Sequence, residues 1–166
     1  MSNIEKIKIE SLAFKNNQSM PVKYTGKGEN ISPDLILSDV SGGAVSIAVI
    51  MDDLDVPKIG EFNHWLLWNI PIQKVIPENI AHGPYPENMK GAVQGKGWGK
   101  NRYKGPNPPF GTHRYRFEVF VLDCKIDLPP QSKKRDLMLQ MNTHILQHGE
   151  ITGLFGVRKP LFKRGK

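Results

Sequence analysis

Apolar residues along this chain recur mostly at every second position, in short runs broken by Gly, Pro, Asn and Asp, a pattern that predicts strands joined by turns. Residues 4 to 14 alternate loosely through Ile7, Ile9, Leu12 and Phe14 and predict a first strand, turning at Lys15-Asn16-Asn17. Pro21 to Tyr24 and Leu35 to Leu37 predict two short ones. The eight apolar, β-branch-rich residues from Ala44 to Met51 predict a central strand buried on both faces. From His64 to Ile70 the same period puts His64, Leu66, Trp68 and Ile70 on one face and Trp65, Leu67 and Asn69 on the other. From His113 to Leu122 it puts His113 and Tyr115 side by side, on the face of Phe117, Val119 and Val121. Between these two strands the Gly- and Pro-rich residues 71 to 104 predict a long irregular excursion with one short strand near Ala92 and Val93. Leu137, Met141, Ile145 and His148 at four-residue spacing predict a helix from a Ser132 N-cap to about His148, stopped by Gly149. Ile151 to Val157 predicts a closing strand. The expected architecture is mainly β, an antiparallel sandwich with an appended C-terminal helix, in one domain spanning residues 1–166.

Composition narrows the function classes. The 39% hydrophobic content supports one real core. A net charge of 23 − 16 = +7 favours an anionic partner without choosing which. Between Glu87 and Glu118 stand Lys90, Lys96, Lys100, Arg102, Lys104, Arg114 and Arg116 with no acid among them. A second basic cluster, Arg158, Lys159, Lys163, Arg164 and Lys166, closes the chain and raises peripheral contact with an anionic membrane. Trp98 and Tyr103 among the basic residues raise single-stranded nucleic acid, but aromatics in a glycine loop are more often pinned to the protein body. The single cysteine, Cys124, fits a reducing compartment. With no apolar run of signal-peptide or membrane-spanning length, the expectation is a cytoplasmic protein.

The candidate chemistry sits at strand ends. Gly105-Pro106-Asn107-Pro108-Pro109-Phe110-Gly111 is a loop stiffened by its prolines, and it delivers His113, Arg114 and Tyr115 to the start of a strand. Asp53 and Asp55 follow the central strand, before Pro57, and His64 heads the next. If these converge, imidazole N–H and phenol O–H groups suit phosphate oxygens, and a carboxylate can fix the outer nitrogen of a histidine. Two histidines and an aspartate also leave open a hydrolase or metal enzyme, although HExxH, GxSxG, a P-loop and GxGxxG are all absent.

Taken jointly, DDLDVP (52–57), HWLLWNIP (64–71) and YKGPNPPFGTHRYRF (103–117) resemble the signature regions of the phosphatidylethanolamine-binding protein family, in its prokaryotic Raf kinase inhibitor-like branch. The GENISP stretch (28–33) is similar to that branch too. The resemblance implies a Greek-key β-sandwich and a non-enzymatic pocket for phosphate-like groups and phospholipid headgroups, with no cofactor and no metal. Kinases or proteases are the implied protein partners, and a homodimer is left open. By motif it assigns ligand contact to Asp53, Asp55, His64, Gly105, Pro108, Pro109, His113 and Tyr115, with Pro57 and Arg114 structural beside them. It also implies a cis Val56–Pro57 bond. Lys96-Gly97-Trp98-Gly99 replaces the usual Asn-Asp-Phe-Gly, Asn107 replaces a frequent Cys, and Phe62 stands where many eukaryotic relatives place a tryptophan lid. Phe155 stands where an aromatic, often Tyr, nears the pocket.

Overall fold

A computed structural model describes residues 3–157; the basic cluster from Arg158 onward lies outside the described residues. The chain is mainly β, and the described residues form two sheets and one α-helix. Its strands in chain order are β1 (Glu5–Lys6), β2 (Ile9–Glu10), β3 (Gln18–Ser19), β4 (Leu35–Leu37), β5 (Ser46–Val56), β6 (Gly60–Ile70), β7 (Val75–Ile76), β8 (Val93–Gln94), β9 (Thr112–Leu122) and β10 (Ile145–Gly156). The helix, α1 (Lys134–Met141), precedes β10. The larger sheet runs β1-β10-β9-β5-β6-β8, with β3 also on β10. The smaller sheet runs β2-β4-β7. Pairing is antiparallel except for β1 and β3, which both join β10 in parallel.

The period-two pattern explains why the large sheet is buried on both faces. Ile47, Val49, Met51, Phe117, Val119 and Val121 point at Leu35, Leu37 and Ile76 of the small sheet. Ala48, Ile50, Phe120 and Leu122 point the other way, at Leu137 and Met141 of α1. Eight residues make too short a helix to stand alone, so α1 depends on this burial, roughly 1.5–3 kcal/mol per large apolar side chain. Among the described residues no helix is long and apolar enough to cross a membrane.

Several local expectations are corrected. Pro21 to Tyr24 is not a strand; Val22–Tyr24 form a single 3-10 turn. The helix is half the predicted length, because Ile145 already pairs with Leu122 and the four-residue spacing runs on by coincidence into β10. Lys133, not Ser132, is its N-cap, and its N–H donates to Asp136 Oδ2 at 2.9 Å. Gly149 stops no helix; it lies within β10, where a Cβ would run into the Ile7 carbonyl of the crossing N-terminal segment. Among the described residues there is no cis peptide bond, so Val56–Pro57 is trans. The reversal there is made differently. Ile59 N–H bonds Val56 C=O at 3.2 Å, and Lys58, at φ +66, occupies the left-handed third position of a type II turn whose second position suits a trans proline.

Candidate functional site

The three long strands β5, β6 and β9 end together, and their ends carry the candidate groups. Asp53 and Tyr115 are direct partners in the β5–β9 register and so share a face, with His113 two residues along on the same face. There His113 Nδ1 lies 2.7 Å from Asp53 Oδ2, with both side chains almost fully buried. A carboxylate can only accept, so Nδ1 carries the proton and Nε2 is the ring nitrogen left for a ligand. The other Asp53 oxygen accepts the Asp55 N–H at 2.9 Å, which fixes the carboxylate.

His64 reaches the same place by an irregularity. Met51 pairs with Trp65 but Asp52 pairs with Asn63, so His64 is the extra residue of a β-bulge. Simple alternation would send it to the helix side with Leu66 and Trp68; the bulge turns it to the opposite side, beside Tyr115, at 5.5 Å between ring centroids. A second shift, with Asn69 at φ +56, likewise moves Ile70 into the cluster between the sheets. His64 Nδ1 donates to the Lys104 carbonyl at 2.8 Å. Its Nε2 is buried and has no partner. Burial holds the imidazole below its usual range, partly offset by the Lys104 carbonyl and the Asp53 charge, so His64 is neutral at pH 7 with a lone pair on Nε2.

The Tyr115 hydroxyl is a second buried polar atom without a partner. Burial first, and then the nearby Asp53 charge, push its phenol well up, so it stays a donor. Both atoms belong to residues that wall a cavity of about 250 Å³. The remaining atoms of this kind, on Asn63, Trp68 and Arg116, belong to residues that do not line it. Its size is below the roughly 300–1,000 Å³ typical of clefts for drug-sized ligands, which suits a small headgroup.

The loop from Gly105 forms the opposite wall through Gly105, Asn107, Pro108 and Pro109. Gly105 is obligatory: a Cβ would lie 2.6 Å from Asn30 Oδ1, the atom that accepts the Gly105 N–H at 2.7 Å. Pro57 also lines the cavity. Asp55 and Arg114 do not. Asp55 accepts the Arg114 backbone N–H, Nε and Nη2 at 2.8, 3.0 and 2.8 Å, and the guanidinium holds its carboxyl below the ordinary range. Asp55 is therefore the clasp of Arg114 rather than a pocket acid.

Sequence reasoning missed Val56, Trp98, Lys104 and Asn107 as lining residues. Trp98 is half-exposed and packs its ring edge-on against Phe62 and His64, at 4.6 and 4.8 Å between centroids. Lys104 Nζ sits 4.8 Å from the Trp98 ring centroid, in cation–π range. The available signal was Gly97, which lies so close to the Trp65 backbone that a Cβ would clash at 2.7 Å, and so fixes where Trp98 starts. Tyr103 is pinned in the core with its hydroxyl on the Tyr24 carbonyl, and Phe155 does not line the cavity.

A family model described as phosphatidylethanolamine-binding protein matches residues 10–156. The chain belongs to the phosphatidylethanolamine-binding protein family. Within that family it is 39% identical over 154 residues to a UPF0098 protein of Pyrococcus abyssi, covering 91% of this chain and 85% of the relative. The solved structure of a phosphatidylethanolamine-binding protein homologue from Chlamydia trachomatis superposes with a TM-score of 0.81 at 31% identity, covering 93% and 99% of the two chains. YbcL of Escherichia coli, described as a new member of the mammalian family, gives a TM-score of 0.83 at 28% identity, covering 92% and 99%.

Proposed function

We propose that the cavity binds a small phosphate-type anion, free or as a headgroup or phosphorylated side chain, and performs no chemistry on it. The observation that carries this reading is the pair of unpartnered buried polar atoms, His64 Nε2 and Tyr115 OH, at a small cavity beside His113. An unsatisfied buried polar group is unfavourable by about 1–3 kcal/mol, and a ligand oxygen that meets it recovers that free energy. The Tyr115 O–H donates to the anion and His113 presents Nε2 to it, while His64 Nε2 accepts from a protonated phosphate oxygen or takes up a proton as the anion arrives. Family membership supports a ligand-binding role.

The lining residues include no Ser, Thr or Cys, which disfavours a serine-, threonine- or cysteine-type acyl-transfer mechanism there. Asp53 and His113 spend two possible metal-ligating atoms on each other, which disfavours the metal-hydrolase alternative. Phosphoester or ester turnover by purified protein would reverse this preference. Presented on a protein, a phosphate would make the chain a regulator of a kinase or protease partner.

The test is NMR titration with inorganic phosphate and phosphoethanolamine. Shifts should centre on His64, His113 and Tyr115, and His113→Ala should weaken binding about tenfold or more. Unchanged affinity in that variant would sink the reading.

A further inference from the structure

The acid-free basic window divides into two sets. Arg114 is taken by Asp55, and Arg116 by Asp52, Glu61 and Glu118. Lys100, Arg102 and Lys104 form no ion pair with any acid among the described residues. Their placement is not accidental, because the residues between them are anchored inward. Asn101 Nδ2 donates to the Gln94 and Pro130 carbonyls at 2.7 and 2.8 Å, and Tyr103 is buried with its hydroxyl 2.7 Å from the Tyr24 carbonyl. The three cations are thus left together on the outer side, where with Gly97 and Trp98 they line a recess of about 190 Å³. No acid lines it.

This recess adjoins the histidine cavity, for Trp98 and Lys104 line both. Trp98 is held there in a left-handed backbone conformation, φ +50, that a bulky residue adopts only against steric resistance. Its ring separates imidazole on one contact from ammonium on another, each centred 4.8 Å away. Three like charges around one recess give it a positive potential that attracts an anion.

We propose that the recess is a second anion subsite, so that the ligand carries two anionic groups on a short linker. One sits at His113 and Tyr115, the other against Lys100 and Arg102, with Lys104 between them. This rests on the reading of the histidine cavity as a phosphate site and names the class of ligand it takes: a linked bis-anion rather than a single phosphate.

Calorimetric titration tests it with inorganic phosphate, pyrophosphate and tripolyphosphate, probes of increasing span. The proteins are wild type, the double variant Lys100→Ala/Arg102→Ala, His113→Ala, and a control, Lys90→Ala/Lys125→Ala, that removes two exposed charges elsewhere. At least one linked phosphate should bind wild type and control about tenfold more tightly than inorganic phosphate, the worth of one added charge-assisted contact. The double variant should lose that advantage and keep its phosphate affinity. No gain for either linked probe, a gain that survives the double variant, or an equal loss in the control overturns the second subsite. Phosphate affinity unchanged by His113→Ala overturns the histidine-cavity reading instead, and the two-subsite ligand with it.

Discussion

Asp52 and Asp53 are consecutive on β5 and serve opposite ends. Asp52 faces α1, fully buried, and its oxygens accept from Lys134 Nζ at 2.7 Å, Arg116 Nη2 at 3.2 Å and Asn63 Nδ2 at 3.1 Å. Asp53 faces the cavity, orients His113, and stands among polar atoms that have nothing to bond. On the Asp52 side the charges are paired within the chain, although Asn63 Oδ1, Trp68 Nε1 and Arg116 Nε are unpartnered there too; on the Asp53 side the unpartnered atoms belong to residues that wall a cavity. A buried carboxylate surrounded by its own cations ties helix to sheet; a buried carboxylate that holds a histidine for an outside partner builds a site.

The sharpest break of this contrast comes from Asp52→Ala. It takes the buried acceptor from Lys134, Arg116 and Asn63, leaving the two cations only Glu61 and Glu118, and should cost about 2 kcal/mol of stability in urea denaturation, with phosphate affinity of the folded protein retained. Next in size is Asp53→Asn, which removes the negative partner of His113; phosphate affinity should fall about tenfold by calorimetry. Tyr115→Phe separates the two roles most cleanly. The hydroxyl lies near Asp53 and the Asn107 main chain but has no partner in hydrogen-bonding geometry, so deleting it should leave the urea midpoint close to wild type, while phosphate binding weakens by about 1 kcal/mol. A rise in affinity would reverse the assignment of Tyr115 as a donor.

The smallest effect is one of pH. Burial depresses the His64 value in the fold, so the unfolded chain binds its proton more readily. The stability contributed by neutral His64 is complete above its ordinary value of 6.5 and is lost as pH falls through the depressed folded value. Urea midpoints should therefore decline as pH falls from 6.5 towards the depressed folded value, and His64→Gln should flatten the decline. Calorimetry in buffers of different ionisation enthalpy should register proton uptake on phosphate binding, and less of it in His64→Gln.

The strands that frame the site were legible because burial on both faces marks them: β5 opens as an unbroken apolar run, and in β9 period-two spacing sorts the residues between the two faces. His113 and Tyr115 could be placed side by side for that reason. His64 could be named but not aimed, since a bulge changes facing without changing composition. The overlong helix has a related cause: Ile145 joins the same apolar cluster as Leu137 and Met141, but from a strand, so spacing alone could not mark where the backbone changes form. Trp98 and Lys104 escaped because no period governs an irregular loop; only the steric demand at Gly97 hints at what lies against it. Asp55 was misjudged for want of its partner. Arg114 was read as structural and Asp55 as a ligand group, whereas they are the two halves of one clasp.

The bond between His64 and the Lys104 carbonyl has a consequence for how the site can drift over generations. The acceptor is main chain, so no side-chain replacement at position 104 deletes it. The histidine on β9 has no such shelter, for its orienting oxygen belongs to a side chain that a single codon change can remove. Under relaxed selection the second histidine would lose its heading first, and variants retaining His64 but altered at Asp53 should mark the earliest stage of decay.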